Sequence, residues 1–329
     1  MKKNTVFLKA AGKAVGLLAV LLAFEIILAA CPTEDSEPSD PFDWSRVSNL
    51  PFGGVGSAVQ GIAYGKGVFV SVSSFGESAY SSDGKTWTKG GTVISSGTIT
   101  CLGFGNGTFV AGLYSGGFAY STDGNTWTAA TGSLGIPVAD IIYADNTFMA
   151  VGLKYPAYKM ATSNDGTAWH VSNGPQYIGN SICYGAGTFV AVGNAGSIAY
   201  SSNGTAWTDS GTRAFGSTHL IGAAYGDNTF VVVGESGKIG YSSDGSNWTL
   251  AESPFGASHI NTLVYGGGTF VAGTYDGKIA VSSDGKSWNG YQPFGSHTVD
   301  CIAFGDGTFV AGGAESVVSL KGWIAYAPK

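Results

Sequence analysis

Ile260-Asn-Thr-Leu-Val-Tyr265-Gly-Gly-Gly-Thr-Phe270-Val-Ala-Gly273-Thr-Tyr-Asp-Gly277-Lys-Ile-Ala-Val281-Ser-Ser-Asp284-Gly-Lys-Ser-Trp288 contains one complete structural unit. A first run ends at Tyr265, a second spans Thr269 to Gly273, a third spans Lys278 to Ser282, and a fourth begins at Trp288. Glycines at 266–268 and 277 and the Asp284-Gly pair separate them. These are hairpin signals, because glycine supplies positive φ and an Asp side chain caps its own turn. The unit is therefore four short strands, A to D, with no helical segment.

The unit recurs. Anchoring phenylalanines stand at Phe69, Phe109, Phe148, Phe189, Phe230, Phe270 and Phe309, spaced 40, 39, 41, 41, 40 and 39 residues apart. Seven all-β repeats of this length predict a seven-bladed β-propeller of four-stranded antiparallel blades. Small residues on strands A and B suit the crowded axis, and this taper accounts for the 53 glycines. Trp87, Trp127, Trp169, Trp207, Trp248 and Trp288 mark strand D, but the equivalent Trp44 precedes the first strand A. The N-terminal strand is therefore expected to complete the last blade, whose strands A to C come from 300–320; such a closure removes open sheet edges. Trp323 breaks the spacing, so the tail 321–329 reads as a competing or additional outer strand.

Residues 1–30 read as an export signal: Lys2, Lys3, Lys9 and Lys13 precede an apolar stretch interrupted only by Glu25. Leu28-Ala29-Ala30-Cys31 resembles the lipobox of bacterial lipoproteins. The resemblance implies acylation of Cys31 and anchoring in a lipid bilayer, with an ordinary signal or uncleaved anchor as the alternative. Residues 31–41 are a polar, proline-rich tether and 42–329 the propeller. Pro32 after the cysteine favours the outer membrane, where the cell envelope has one. Beyond residue 30 the chain carries 12 Lys and Arg against 21 Asp and Glu, which excludes nucleic acid as a partner. Cys101, Cys183 and Cys301 fall on separate inner strands and read as buried free thiols. No Cys/His spacing suits a metal, the four histidines read as isolated, and neither a metal site nor a cofactor is expected.

Ser-x-Asp-Gly-x-x-Trp recurs at Asp83, Asp123, Asp165, Asp244 and Asp284, with Asn203 in the fourth copy. The motif resembles the Asp-box of sialidases and related propellers. The resemblance implies a turn between the outer strands, on the face away from any active site. Asn203 performs the same capping without charge, so the motif reads as structural. A sialidase would need three arginines, and the chain has two, Arg46 and Arg213. The blades also resemble repeat lipoproteins reading Ile-x-Tyr-Gly-x-Gly-x-Phe-Val-Ala-Val-Gly, neighbours of photosystem-assembly-factor-like propellers, for which binding or scaffolding is the implied role.

The loops B–C and D–A share one face. Its expected ligand-facing residues are Phe75, Glu77, Tyr114, Tyr155, Glu235, Tyr275 and Asp276, with Glu315, Asp140 and Glu252 as further carboxylates. Phe52, Phe215, Phe255 and Phe294 recur in Phe-Gly pairs and are expected to fill gaps between blades. The leading expectation is a non-catalytic module that binds an envelope protein or glycan. The alternatives are a glycan-active hydrolase or lyase using paired carboxylates on this face, and a purely structural envelope protein.

Overall fold

The computed structural model describes residues 40–52, 56–154, 157–212, 214–316 and 320–329. Phe42–Lys329 forms one compact unit. It consists of seven four-stranded antiparallel sheets, six of which run in chain order from strand A to strand D. The sixth blade pairs Ile260–Gly266, Thr269–Thr274, Ile279–Ser282 and Asn289–Tyr291 in succession.

The last blade takes Cys301–Gly305, Thr308–Ala314 and Gly322–Pro328 from the C-terminus and Ser45–Arg46 from the N-terminus. The expected closure is present, with one correction. The tail is neither competing nor additional: Gly322–Pro328 is the third strand, paired along its length with Thr308–Ala314. Trp323 is therefore a strand-C residue opposite Gly313, and its indole Nε1 donates to the carbonyls of Thr298 and Ala314 at 2.9 and 3.0 Å. Strand D of this blade is Ser45–Arg46, so it is not joined to strand C by an Asp-Gly-x-x-Trp turn.

Each anchoring phenylalanine is buried between sheets and packs on the aromatic residue ending its own strand A, as Phe270 does on Tyr265 at 4.6 Å. The Phe-Gly phenylalanines Phe52, Phe215, Phe255 and Phe294 are buried within the clusters that join neighbouring blades. Cys101, Cys183 and Cys301 are buried and free.

The outer turns follow the chemistry read from the motif. In the first blade the Ser81 hydroxyl donates to Asp83 Oδ1 and accepts from the Gly84 amide. Asp83 Oδ1 also accepts the amides of Lys85 and Thr86, and Trp87 Nε1 donates to the Gly84 carbonyl. Asn203 reproduces this set with Thr205 and Ala206. Trp127 departs from it and donates to Ser78 Oγ in the preceding blade.

Candidate functional site

The inner strands line an axial cavity of about 580 Å³, within the range of small-molecule sites. In each of the first six blades the pairing of strands A and B slips near the start of strand A. Such bulges turn a side chain away from its regular direction. The residue nine positions before each anchoring phenylalanine lies at this level, and all seven line the cavity: Gln60, Thr100, Ala139, Asn180, Ile221, Asn261 and Asp300. Asp140 lies one position further along its strand and also lines the cavity. This level belongs to the end of the strands where the D–A loops enter and the B–C loops leave.

Two carboxylates thus stand in the wall of one cavity. Asp140 was expected in a D–A connection, but it lies within the inner strand Val138–Ala144. Its Oδ1 accepts the Ile141 amide at 2.8 Å; its Oδ2 accepts the Ser181 hydroxyl at 2.7 Å and the Ile182 amide at 3.1 Å. Asp300 accepts from Asn261 Nδ2 at 2.9 Å and from the Thr298 hydroxyl at 2.7 Å. Burial raises the proton affinity of both above the usual carboxylate value, against the opposing effect of these donors. Desolvation likewise pushes up the Cys101, Cys183 and Cys301 thiols, and the nearby Asp140 and Asp300 charges add to it. Such thiols are poor nucleophiles.

The expected loop-face carboxylates are mostly occupied. Glu77 meets Lys89 Nζ at 2.9 Å across strands C and D. Asp276 accepts from Ser258 and Thr274 and lies 3.2 Å from Lys278 Nζ. Glu315 lies 3.7 Å from Arg46 and 3.4 Å from Lys321. Glu235 opens the turn Glu235–Gly237, its amide bonded to the His219 carbonyl, and Glu252 is exposed. Tyr155 and Cys31 lie outside the described residues.

Exposed aromatic side chains stand in loops of the same face: Phe75 (60 %), Tyr114 (63 %) and Tyr275 (46 %) after strands B, and Tyr177 (39 %) before the fourth strand A. The histidines are not all isolated. His219 and His259 hold equivalent places ahead of strands A of neighbouring blades, their carbonyls accepting the Glu235 and Tyr275 amides. His259 packs edge-on to Tyr275 at 5.9 Å. His297 bridges Arg46 and the Phe294 carbonyl.

No family model matches the chain, and no curated protein matches it in sequence. Solved structures do resemble it in fold. A streptogramin B lyase superposes with a TM-score of 0.72 at 13% identity, covering 87% of this chain and 98% of the lyase. A catalytically inactive variant of virginiamycin B lyase from Staphylococcus aureus, solved with quinupristin, gives 0.72 at 14% over 88% and 100%. YCF48 bound to D1 peptide gives 0.65 at 14% over 89% and 96%. The likeness is one of architecture: a seven-bladed propeller shared with lyases and with a peptide-binding protein. It corrects the expectation of a non-catalytic module, which rested largely on the missing sialidase residues. Lyases are built on this architecture, so those residues are no measure of whether such a propeller is an enzyme. A specific lipoprotein family is likewise not what the chain resembles in these comparisons.

Proposed function

We propose that the protein is a hydrolase or lyase acting at the mouth of its axial cavity on the D–A and B–C face. The observation that carries this reading is the presence of Asp140 and Asp300 in one cavity wall, both with raised proton affinity. A carboxyl raised in this way exchanges protons nearer neutral pH than an ordinary one, as acid–base chemistry requires. Asp140, held by three donors, is the better stabilised anion and takes the role of base. Asp300, held by two, takes the role of acid. The lyases of similar fold, one of them solved with quinupristin, make quinupristin the first substrate to try, with glycans tried beside it.

The test is product analysis by mass spectrometry in H₂¹⁸O with the full chain and with Asp140→Asn and Asp300→Asn. Incorporation of ¹⁸O identifies a hydrolase, and cleavage without it a lyase. Loss of product in both variants, with folding intact, supports the assignment; undiminished turnover in either variant overturns it for that residue.

The exposed aromatic side chains in the loops of this face favour a second reading, in which the same face holds a protein partner. YCF48 with its D1 peptide is a precedent of the same architecture. In either case we place the propeller at a bacterial envelope through acylated Cys31, a proposal that intact-mass measurement of the membrane fraction tests directly.

A further inference from the structure

Tyr177 adopts φ +64, a left-handed backbone that is unfavourable for an aromatic residue. It stands three residues before Asn180 of the cavity wall, it is exposed, and its ring meets Tyr158 edge-on at 5.5 Å. Its carbonyl accepts the Asn194 amide, as the His219 carbonyl accepts that of Glu235 in the next blade. The backbone role is therefore met elsewhere by a residue of another type, and it does not explain the tyrosine.

Below the rim, the Gln60 carboxamide lines the cavity with no hydrogen-bond partner among the described residues. Asn180 Nδ2 is committed to Asn194 and to the Leu220 carbonyl, which leaves its Oδ1 available as an acceptor. No Lys, Arg or His is among the described residues lining the cavity, whose charged groups are Asp140 and Asp300. That wall offers amide donors and acceptors for hydroxyls beside the Asp140 carboxylate, and the exposed Tyr177 stands on the same face, three residues before Asn180 in the chain.

We infer that the cavity takes an uncharged saccharide, with Tyr177 stacking on a sugar ring and the Gln60 and Asn180 amides bonding its hydroxyls. The inference rests on the reading of this mouth as the working site and names its substrate class. Uronic and sialic acids are disfavoured by the Asp140 carboxylate, the base of the proposed site.

The test is calorimetric titration of the full chain with xylotriose, cellotriose and chitotriose, and with trigalacturonic acid as the anionic control. At least one neutral trimer is expected to bind and the anionic trimer to fail. Tyr177→Gly, which relieves the left-handed backbone, is expected to keep or raise the melting temperature while weakening binding about tenfold, the scale of one aromatic contact. Gln60→Ala is expected to weaken binding with folding unchanged. No binding of any neutral trimer, tighter binding of the anionic one, or unchanged affinity in Tyr177→Gly overturns the inference. Binding without cleavage upholds the saccharide site and refutes the acid–base reading; cleavage of a non-saccharide without trimer binding does the reverse.

Discussion

Tyr64 of the first blade lies across Gly305 of the last, leaving no room for a Cβ at Gly305. The same relation joins Phe104 to Gly65, Tyr143 to Gly105, Tyr225 to Gly185, Tyr265 to Gly226 and Phe304 to Gly266. Each aromatic residue ending a strand A thus covers the neighbouring blade, and the ring closes where the chain ends meet. The third blade has Ala144 in this place and packs it beside Tyr184. Gly305→Ala is expected to cost about 1–3 kcal/mol through overpacking. Gly307→Ala, in open space at φ +70, is expected to cost about 1 kcal/mol from the backbone alone. Chemical denaturation of both variants checks the order.

Closure of the last blade depends on a short N-terminal strand whose neighbours are aromatic. Phe42 is buried and packs on Phe309 at 5.0 Å. Phe42→Ala is expected to destabilise the propeller by about 3–5 kcal/mol, measured as a shift of the denaturation midpoint at constant slope.

The outer turns need an acceptor, not a charge. Asp244 Oδ1 accepts the Ser246 and Asn247 amides, the pattern that Asn203 supplies in the fourth blade. Asp244→Ala is expected to cost about 1–2 kcal/mol, and Asp244→Asn much less. Equal losses in thermal unfolding would show that the charge matters.

The two carboxylate sets titrate with opposite signs. Amide donors, chiefly that of Thr126, lower Asp123 from 3.8 to about 2. Its stabilising share is present above 3.8 and disappears as pH falls toward 2. Exposure to solvent keeps that share small. Asp140 and Asp300 are raised by burial, so they are most compatible with folding below 3.8 and lower stability as pH rises through their folded values. Asp123→Asn should flatten the acid limb of a stability profile, and Asp300→Asn the limb above it. Identical profiles for both variants would contradict these signs.

The blades were legible in the sequence because their demands repeat: the phenylalanine anchors, the hairpin glycines and the Asp-capped turns recur in step. The site was not, because its residues occupy the position where the repeats differ. Nine residues before each anchor stand Gln, Thr, Ala, Asn, Ile, Asn and Asp in turn, and bulged backbone brings them into one wall. A column of such variety inside an otherwise regular inner strand was the available signal. Loop position alone did not show that Glu77, Asp276 and Glu315 have cationic neighbours, which are Lys89 on strand D, Lys278 two residues on in the same loop, and Arg46 with Lys321 at the closing blade. Trp323 misled because its type suggested strand D while its register places it on strand C.

On the proposed reading, Asp140 and Asp300 make the axial cavity an acid–base site. The most direct test is cleavage of neutral oligosaccharides and of quinupristin by the full chain, followed by mass spectrometry beside Asp140→Asn and Asp300→Asn. A product is expected from at least one substrate, and its loss in both folded variants. Cleavage that persists undiminished in the variants, or no cleavage of any substrate, would contradict it.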